Sequence, residues 1–167
     1  MTIICLGPKG SGKTLLLKNL KQDENIDATS STVPTVGTYF TTVLLDNMKE
    51  VTIREVGGAM TPIWKNYFKG VRKLIYVVDA SNLCQISAAG VLFYEIMADP
   101  DLAAAKILLV LSKMDVSYRQ MRNEALLMMQ LSRLKREESH RDIKVVEASG
   151  MTGKGMDELR KWLADAL

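Results

Sequence analysis

Cysteine is scarce in this chain, and no apolar run is long. Two cysteines among 167 residues, Cys5 and Cys84, do not suggest a disulfide framework, and such a low count is typical of a reducing compartment. No apolar run approaches the roughly 20 residues that a membrane-spanning helix needs. These two absences argue against a disulfide-stapled secreted domain and against an integral membrane protein.

An excess of charge of one sign is also missing. The chain has 22 basic and 19 acidic residues, and a net charge of +3 is too small to indicate nucleic-acid binding or attraction to an anionic membrane. The composition, 47% apolar and 25% charged, is ordinary for a globular domain. Without a repeat, low-complexity tract or linker, the sequence predicts a single domain over residues 1–167.

Signals for export or lipid attachment are not visible either. Apolar residues follow Met1 almost at once, position 2 is threonine, and the last four residues contain no cysteine. If Met1 is the true start, we expect no signal peptide, no N-myristoylation and no prenylation. A cytoplasmic location is expected, with membrane association, where it occurs, through partners.

Strand-like and helix-like patterns alternate along the chain. Apolar runs at 74–78 and 107–111 are unbroken, which is typical of central parallel strands covered on both faces. Two further strand patterns are joined by a short turn near residue 46 and predict a hairpin. The sequence therefore predicts an α/β domain with a six-stranded, mostly parallel sheet, one antiparallel edge strand, and helices on both faces. The expected strands are 2–6, 38–45, 50–56, 73–79, 105–111 and 143–148, and the expected helices are 13–22, 85–98, 121–136 and 155–166.

Residues 7–14 read Gly-Pro-Lys-Gly-Ser-Gly-Lys-Thr and fill the phosphate-binding pattern G-x-x-x-x-G-K-[ST]. A strand pattern precedes them and a helix pattern follows, which is the context in which backbone N–H groups converge on phosphate oxygens. Lys13 would place a charge on the outer phosphates, and the Thr14 hydroxyl would ligate Mg²⁺. The alternative is a glycine-rich turn before a helix. The other predicted phosphate-binding residues are Gly7, Pro8, Lys9, Gly10, Ser11 and Gly12.

Two segments downstream suggest a response to the terminal phosphate. Thr35, in a mobile loop, can bind Mg²⁺ through its hydroxyl and the terminal phosphate through its N–H, and both contacts end when that phosphate leaves. Glu55, at a strand end, can hold a Mg²⁺-bound water, and the N–H of Gly58 can reach the terminal phosphate. Taken alone, each segment is also compatible with a structural turn. The polar stretch 22–32 is a candidate switch loop.

The base is indicated by residues at the ends of the fifth and sixth strands. The Asp115 carboxylate can accept two hydrogen bonds from the ring N–H and amino group of guanine, and adenine lacks that donor pair. The Lys113 stem can lie over the base, and Ser149 and Gly150 can offer a backbone N–H to the guanine carbonyl. Together with Ser112, these residues predict a guanine site.

These motifs resemble those of the small GTPases, and within them the Arf-like branch. The resemblance covers nearly the whole chain and is carried by residues 7–14, 34–37 (Pro-Thr-Val-Gly), 78–81 (Val-Asp-Ala-Ser), 112–115 (Ser-Lys-Met-Asp), Gly57-Gly58 and Ala148-Ser149. It implies a monomeric switch that binds GTP or GDP with Mg²⁺. Its GTP state would recruit effectors in intracellular or ciliary membrane traffic. It also implies exchange factors and activating proteins as partners, and no nucleic acid.

Three positions depart from the family pattern. Ala59 stands where the family has a water-orienting glutamine, and its methyl group can neither donate to nor accept from a water. Glu55 replaces an aspartate, and Ser112 replaces an asparagine that braces the phosphate loop and the base. We therefore expect slow or partner-dependent GTP hydrolysis, weaker nucleotide affinity and faster exchange. The residues assigned to catalysis are Lys13, Thr35 and Ala59, the last as the replacement of the water-orienting glutamine.

The effector surface also departs from the family. The resemblance matches the aromatic trio of Arf-like proteins to Thr38, Arg54 and Tyr67, of which only Tyr67 is aromatic. Trp64 either joins a different contact patch or packs under the second switch. A pseudo-GTPase scaffold is the main alternative function. An ATP-dependent phosphotransferase is disfavoured by the segment 112–115.

Overall fold

The computed structural model describes residues 2–21, 37–115, 123–125, 129–137 and 140–165. Strands and helices alternate along the described chain, and two 3₁₀ helices, Gly58–Tyr67 and Pro100–Leu102, lie between them. The strands are β1 (Thr2–Leu6), β2 (Thr38–Leu44), β3 (Glu50–Val56), β4 (Val71–Asp79), β5 (Lys106–Ser112) and β6 (Ile143–Glu147). The helices are α1 (Lys13–Leu20), α2 (Leu83–Met97), α3 (Leu131–Glu137) and α4 (Met156–Ala164).

The strands form one sheet in the order β2-β3-β1-β4-β5-β6. The hairpin β2–β3 is antiparallel, and every other neighbouring pair is parallel. The predicted fold class is confirmed, including the single antiparallel edge strand. Since the parallel strands share one direction, their carboxyl ends meet along one edge of the sheet, where ligands of open α/β sheets bind.

Alternate residues of the central strands pack into two separate hydrophobic layers. Tyr76 and its neighbours on one face pack with Phe93 of α2. Ile75 and Val77 face the opposite layer, with Leu16 of α1 and Leu159 of α4. Helices therefore cover both faces of the sheet, which explains the unbroken apolar runs in β4 and β5.

The structure differs from the predicted pattern at one long 3₁₀ helix, and two predicted segments lie wholly or partly outside the described residues. The 3₁₀ helix Gly58–Tyr67 was not predicted, because Pro62 disfavours an α-helix there, although Met60, Ile63, Trp64 and Tyr67 recur at helical spacing. Only 123–125 and 131–136 of the expected helix 121–136 are described as helical. The switch loop 22–32 lies outside the described residues.

None of the helices in the described parts of the chain is long and apolar enough to cross a membrane.

A buried lysine holds the C-terminal end of α4 against the sheet. Lys73 of β4 is 0% exposed. Its Nζ atom donates to the carbonyl oxygens of Trp162 (2.7 Å), Leu163 (3.1 Å) and Asp165 (2.8 Å). All three ammonium protons therefore have acceptors, and the cation lies at the negative end of the helix dipole.

Replacing this lysine should destabilise the fold. Lys73→Met keeps much of the side-chain volume but leaves three carbonyl groups without their donor. We expect the free energy of unfolding in urea to fall by about 1–3 kcal/mol. The control is Lys144→Met, an exposed lysine 3.8 Å from Asp165, for which a change within about 0.5 kcal/mol is expected. Equal losses for the two variants would contradict the role given to Lys73.

Candidate nucleotide-binding site

The phosphate-binding pattern forms the loop between β1 and α1. Gly12 is the N-cap residue of α1 and has a left-handed conformation (φ 94°) that favours glycine. Because glycine has no side chain, no side-chain cap occupies the first amide groups of α1. Those N–H groups and the positive end of the helix dipole are suited to an anion.

Lys13 lies inside the loop and ties its two ends together. Its Nζ atom donates to the carbonyl oxygens of Gly7 (2.8 Å) and Pro8 (3.1 Å), and lies 3.4 Å from Ser11 Oγ. The side chain is buried. Burial lowers the pKa of Lys13 below its ordinary value, while the nearby Glu55 carboxylate opposes that shift. The loop thus holds a cation at its centre.

Two of the three predicted Mg²⁺ residues lie together. The Thr14 hydroxyl donates to Glu55 Oε1 at 2.5 Å, and the Glu55 side chain is buried at the end of β3. Thr35 lies outside the described residues. A hydroxyl beside a carboxylate is a set of hard oxygen donors that fits Mg²⁺, which binds one or two carboxylates together with phosphate oxygens. No group of three or more His, Cys, Asp or Glu side chains with metal-site geometry occurs among the described residues, and Mg²⁺ bound with a nucleotide does not need one.

Gly57 and Gly58 place the start of the 3₁₀ helix directly on the phosphate loop. A Cβ atom at Gly58 would lie 2.2 Å from the Lys9 nitrogen and 2.7 Å from the Pro8 carbonyl carbon. No side chain fits there, so glycine is required for this close approach. The carbonyl of Gly57 accepts a hydrogen bond from Trp64 Nε1 at 3.0 Å, which fixes the turn from inside the helix.

The Ser112 side chain joins the base motif to the phosphate loop. Its hydroxyl donates to the Ser11 carbonyl at 2.5 Å, and the Val78 carbonyl lies 3.1 Å away. The family resemblance predicted that Ser112, in place of asparagine, removes the side-chain group that holds the loop. The structure instead shows a brace to the loop made by the shorter hydroxyl.

Lys113 makes the second connection between base motif and loop. Its backbone is left-handed (φ 59°). Its Nζ atom donates to the Gly10 carbonyl at 2.9 Å and forms an ion pair with Asp79 Oδ2 at 2.9 Å. The lysine stem passes within van der Waals distance of the position that a Cβ on Gly12 would take. A base stacked on this stem would lie next to the phosphate loop.

Asp115 and Ser149 meet at the ends of neighbouring strands. Ser149 Oγ donates to Asp115 Oδ1 at 2.8 Å and accepts the N–H groups of Met151 (3.2 Å) and Thr152 (3.1 Å). The carboxylate is therefore oriented by a buried hydroxyl that is itself fixed by the following turn. This geometry leaves the other carboxylate oxygen, Oδ2, for two donors of a ligand.

Gly150 packs on α1 instead of standing free in the turn. A Cβ atom there would lie 3.0 Å from Leu15 atoms, and the Gly150 carbonyl accepts from Asn19 Nδ2 at 3.0 Å. The structure thus brings the five predicted guanine residues to the same edge of the sheet as the phosphate loop.

Neither Asn19 nor Asp79 was assigned a positioning role from the sequence, although Asp79 lies in the segment 78–81 that carries the family resemblance. Asp79 holds the Lys113 ammonium and also accepts from the N–H (2.8 Å) and hydroxyl (2.5 Å) of Ser81. Asn19 holds the turn at Gly150. Asp79 does follow an unbroken apolar strand, and a lone acid at the carboxyl end of a central strand is a signal that could have identified it.

The predicted effector residues divide into a buried and a surface group. Trp64 is buried at 3% exposure within the 3₁₀ helix Gly58–Tyr67 and does not belong to a surface patch. Thr38, Arg54 and Tyr67 are half-buried. Ala59 is exposed at the start of the 3₁₀ helix, where its methyl group offers no hydrogen bond to a water.

The model of the ADP-ribosylation factor family matches residues 1–167 of this chain. The chain therefore belongs to the Arf family of small GTPases. Human ADP-ribosylation factor-like protein 16 is 38% identical over 119 residues, which cover 68% of this chain and 59% of the human protein. The matched part thus spans about three-fifths of that relative's length.

Solved structures at low identity show the same fold. The Arl6 BBS3 small GTPase of Trypanosoma brucei, with the bound nucleotide analogue GppNp, superposes with a TM-score of 0.79 at 19% identity, covering 98% of this chain and 94% of that one. The mammalian SRP receptor gives a TM-score of 0.78 at 16% identity, covering 98% of both chains.

A side chain at position 58 should disturb the phosphate loop. In Gly58→Ala the added methyl group must move the Lys9 backbone or the 3₁₀ helix. Overpacking of this kind costs roughly 1–3 kcal/mol. When that cost falls on the nucleotide-bound state, the affinity for a fluorescent GDP analogue should fall by about 5- to 150-fold. The control is Gly70→Ala, where φ is 79° but no atom lies within 4 Å of the added carbon. This control should lose about 1 kcal/mol of stability and keep its affinity. Unchanged affinity in Gly58→Ala would contradict the packing argument.

Proposed function

We propose that this chain is a guanine-nucleotide switch of the Arf-like type. The observation that carries the proposal is the direct bonding of the base motif to the phosphate loop, from Ser112 Oγ to the Ser11 carbonyl and from Lys113 Nζ to the Gly10 carbonyl. Asp115, oriented by Ser149, lies at the same edge. One ligand with a guanine at one end and phosphates at the other matches this arrangement.

Mg²⁺ would be held by Thr14, by Thr35 and, through a water, by Glu55. When bound, the ion neutralises charge on the phosphate oxygens. Lys13, buried within the loop, would shift its donors from the carbonyls of Gly7 and Pro8 to phosphate oxygens. The predictions of weaker nucleotide affinity and faster exchange remain part of the proposal. Since the Ser112 hydroxyl bonds to the loop, the expected weaker affinity and faster exchange rest on Glu55.

The switch itself would involve the 3₁₀ helix that begins at Gly58. Its first residues lie on the backbone of Pro8 and Lys9, so a terminal phosphate that contacts the Gly58 N–H would pull on this helix. The Gly57 N–H donates to the Gly37 carbonyl at 3.0 Å, which links the same turn to the start of β2. The GTP state would recruit effectors in intracellular or ciliary membrane traffic, and this last step rests on the family resemblance alone.

A pseudo-GTPase scaffold is the second candidate, and Ala59 is the observation that favours it. A GTPase without the water-orienting glutamine is expected to hydrolyse GTP more slowly than the roughly 10⁻⁴–10⁻³ per second of unaided small GTPases. Such a protein either cycles by exchange or with a partner that supplies the missing group, or it does not cycle.

Nucleotide titration tests the proposed function. Calorimetric titration with GDP, a non-hydrolysable GTP analogue and ATP, each with and without Mg²⁺, should show a preference for guanine over adenine of about 10⁴-fold or more. Asp115→Ala should remove most of this preference, whereas Asp157→Ala, an exposed acid in the first turn of α4, should keep it. Preference for ATP would overturn the proposal, and GDP and GTP bound alike without regard to Mg²⁺ would favour the scaffold.

A glutamine at position 59 should raise the hydrolysis rate. Ala59→Gln supplies a side chain that can both donate to and accept from a water. Single-turnover assays should show faster GTP hydrolysis than the wild type by tenfold or more. Ala59→Leu is the control for bulk without hydrogen-bonding capacity, and it should stay at the wild-type rate. A wild-type rate as high as that of glutamine-containing relatives would refute the role assigned to position 59.

A further inference from the structure

An arginine of the β2–β3 hairpin lies between two aromatic rings, one on the hairpin and one on the 3₁₀ helix Gly58–Tyr67. Arg54 of β3 is the cross-strand partner of Phe40 in β2. Its Cζ atom lies 4.7 Å from the ring centroid of Phe40 and 5.1 Å from that of Tyr67 in the 3₁₀ helix. Both distances are within the range of favourable cation–π contacts, so the two rings hold the guanidinium in a defined orientation.

This guanidinium has unused hydrogen-bonding capacity. An arginine carries five N–H donors and cannot lose its charge. The Arg54 side chain makes no hydrogen bond or ion pair with the residues that the structure describes, and its Nε atom is buried without a partner. Buried donors in folded proteins are nearly always paired, so an unpaired one calls for an explanation.

Among the described residues, the strand neighbours of Arg54 on its face of the hairpin carry no charge. On the same face of the hairpin, the neighbours of Arg54 in the strand register are Thr38, Thr42, Thr52 and Val56, all of them uncharged. The patch is open to a partner: Phe40 is 63% exposed, and β2 is an edge strand of the sheet. We define the cation patch as Phe40, Arg54 and Tyr67.

We infer that the cation patch is a docking point for a protein segment that presents an aspartate or glutamate between apolar side chains. A carboxylate can bond in bidentate fashion to the edge of a stacked guanidinium, and apolar neighbours can cover the exposed face of Phe40. Arginine and tyrosine are also the residue types enriched among dominant interface contacts. Charge complementarity therefore selects an acidic segment over an all-apolar one.

This inference rests on the proposed function and gives the effector surface a chemistry. Tyr67 belongs to the 3₁₀ helix whose first residues lie on the phosphate loop. The nucleotide would thereby control one wall of the cation patch. Docking should accordingly be tighter to the GTP-analogue state than to the GDP state.

A random peptide display library, panned against the full chain loaded with a non-hydrolysable GTP analogue, tests the inference. The wild type should enrich sequences with Asp or Glu at one position beside apolar residues. Arg54→Glu should lose that enrichment and select Lys or Arg at the same position. Arg72→Glu makes the same charge change at an exposed arginine of β4, outside the cation patch, and should select as the wild type does.

A synthetic peptide from the selection gives the quantitative result. Its dissociation constant should rise at least about tenfold with Arg54→Gln, or when its acid is changed to the matching amide. Arg54→Lys keeps the charge but lacks the planar fork, and it should bind with intermediate affinity.

Three outcomes would overturn the inference: no enriched sequence, enrichment without an acid, or equal selection by the wild type and Arg54→Glu. Affinity for fluorescent GDP, within about twofold of wild type in each variant, shows that the variants are folded. Failure of docking with intact guanine binding removes this inference alone, whereas failure to bind guanine nucleotide removes the proposed function.

Discussion

The backbone of the phosphate loop is the element on which the rest of the site depends. Its carbonyl groups accept hydrogen bonds from three side chains: Lys13 donates to Gly7, Lys113, which follows β5, donates to Gly10, and Ser112 donates to Ser11. Gly58 also packs on the loop without any side chain between them. Because Ser112, Lys113 and the start of the 3₁₀ helix all contact one short backbone, a ligand that orders this loop would act on each of them at once.

The central sheet could be predicted from the sequence because its signals are local. Unbroken apolar runs mark β4 and β5, and the glycine-rich pattern with its flanks marks the loop between β1 and α1. The 3₁₀ helix was not predicted: Pro62 lies within its helical apolar pattern, and the contact of Gly58 with the phosphate loop joins residues distant in sequence. Asp79 and Lys73 were missed for the same reason: their partners, Lys113 and the end of α4, lie 34 and about 90 residues away along the chain.

The departures from the family pattern affect different parts of the proposed cycle. Ser112 keeps a hydrogen bond to the loop although it is shorter than asparagine. Ala59 removes a group that acts only on the attacking water. Arg54 replaces an apolar contact by a cation held between two rings. In this account the chain holds guanine nucleotide, cleaves it slowly, and presents a charged surface to its partners.

The central claim is that the nucleotide state changes the structure around the phosphate loop. Hydrogen–deuterium exchange of the GDP-loaded protein and of the protein loaded with a non-hydrolysable GTP analogue tests it most directly. The account predicts different protection in the 3₁₀ helix Gly58–Tyr67 and in the hairpin β2–β3, with α4 unchanged as an internal reference. Identical exchange of all segments in the two states, with both nucleotides bound, would contradict it.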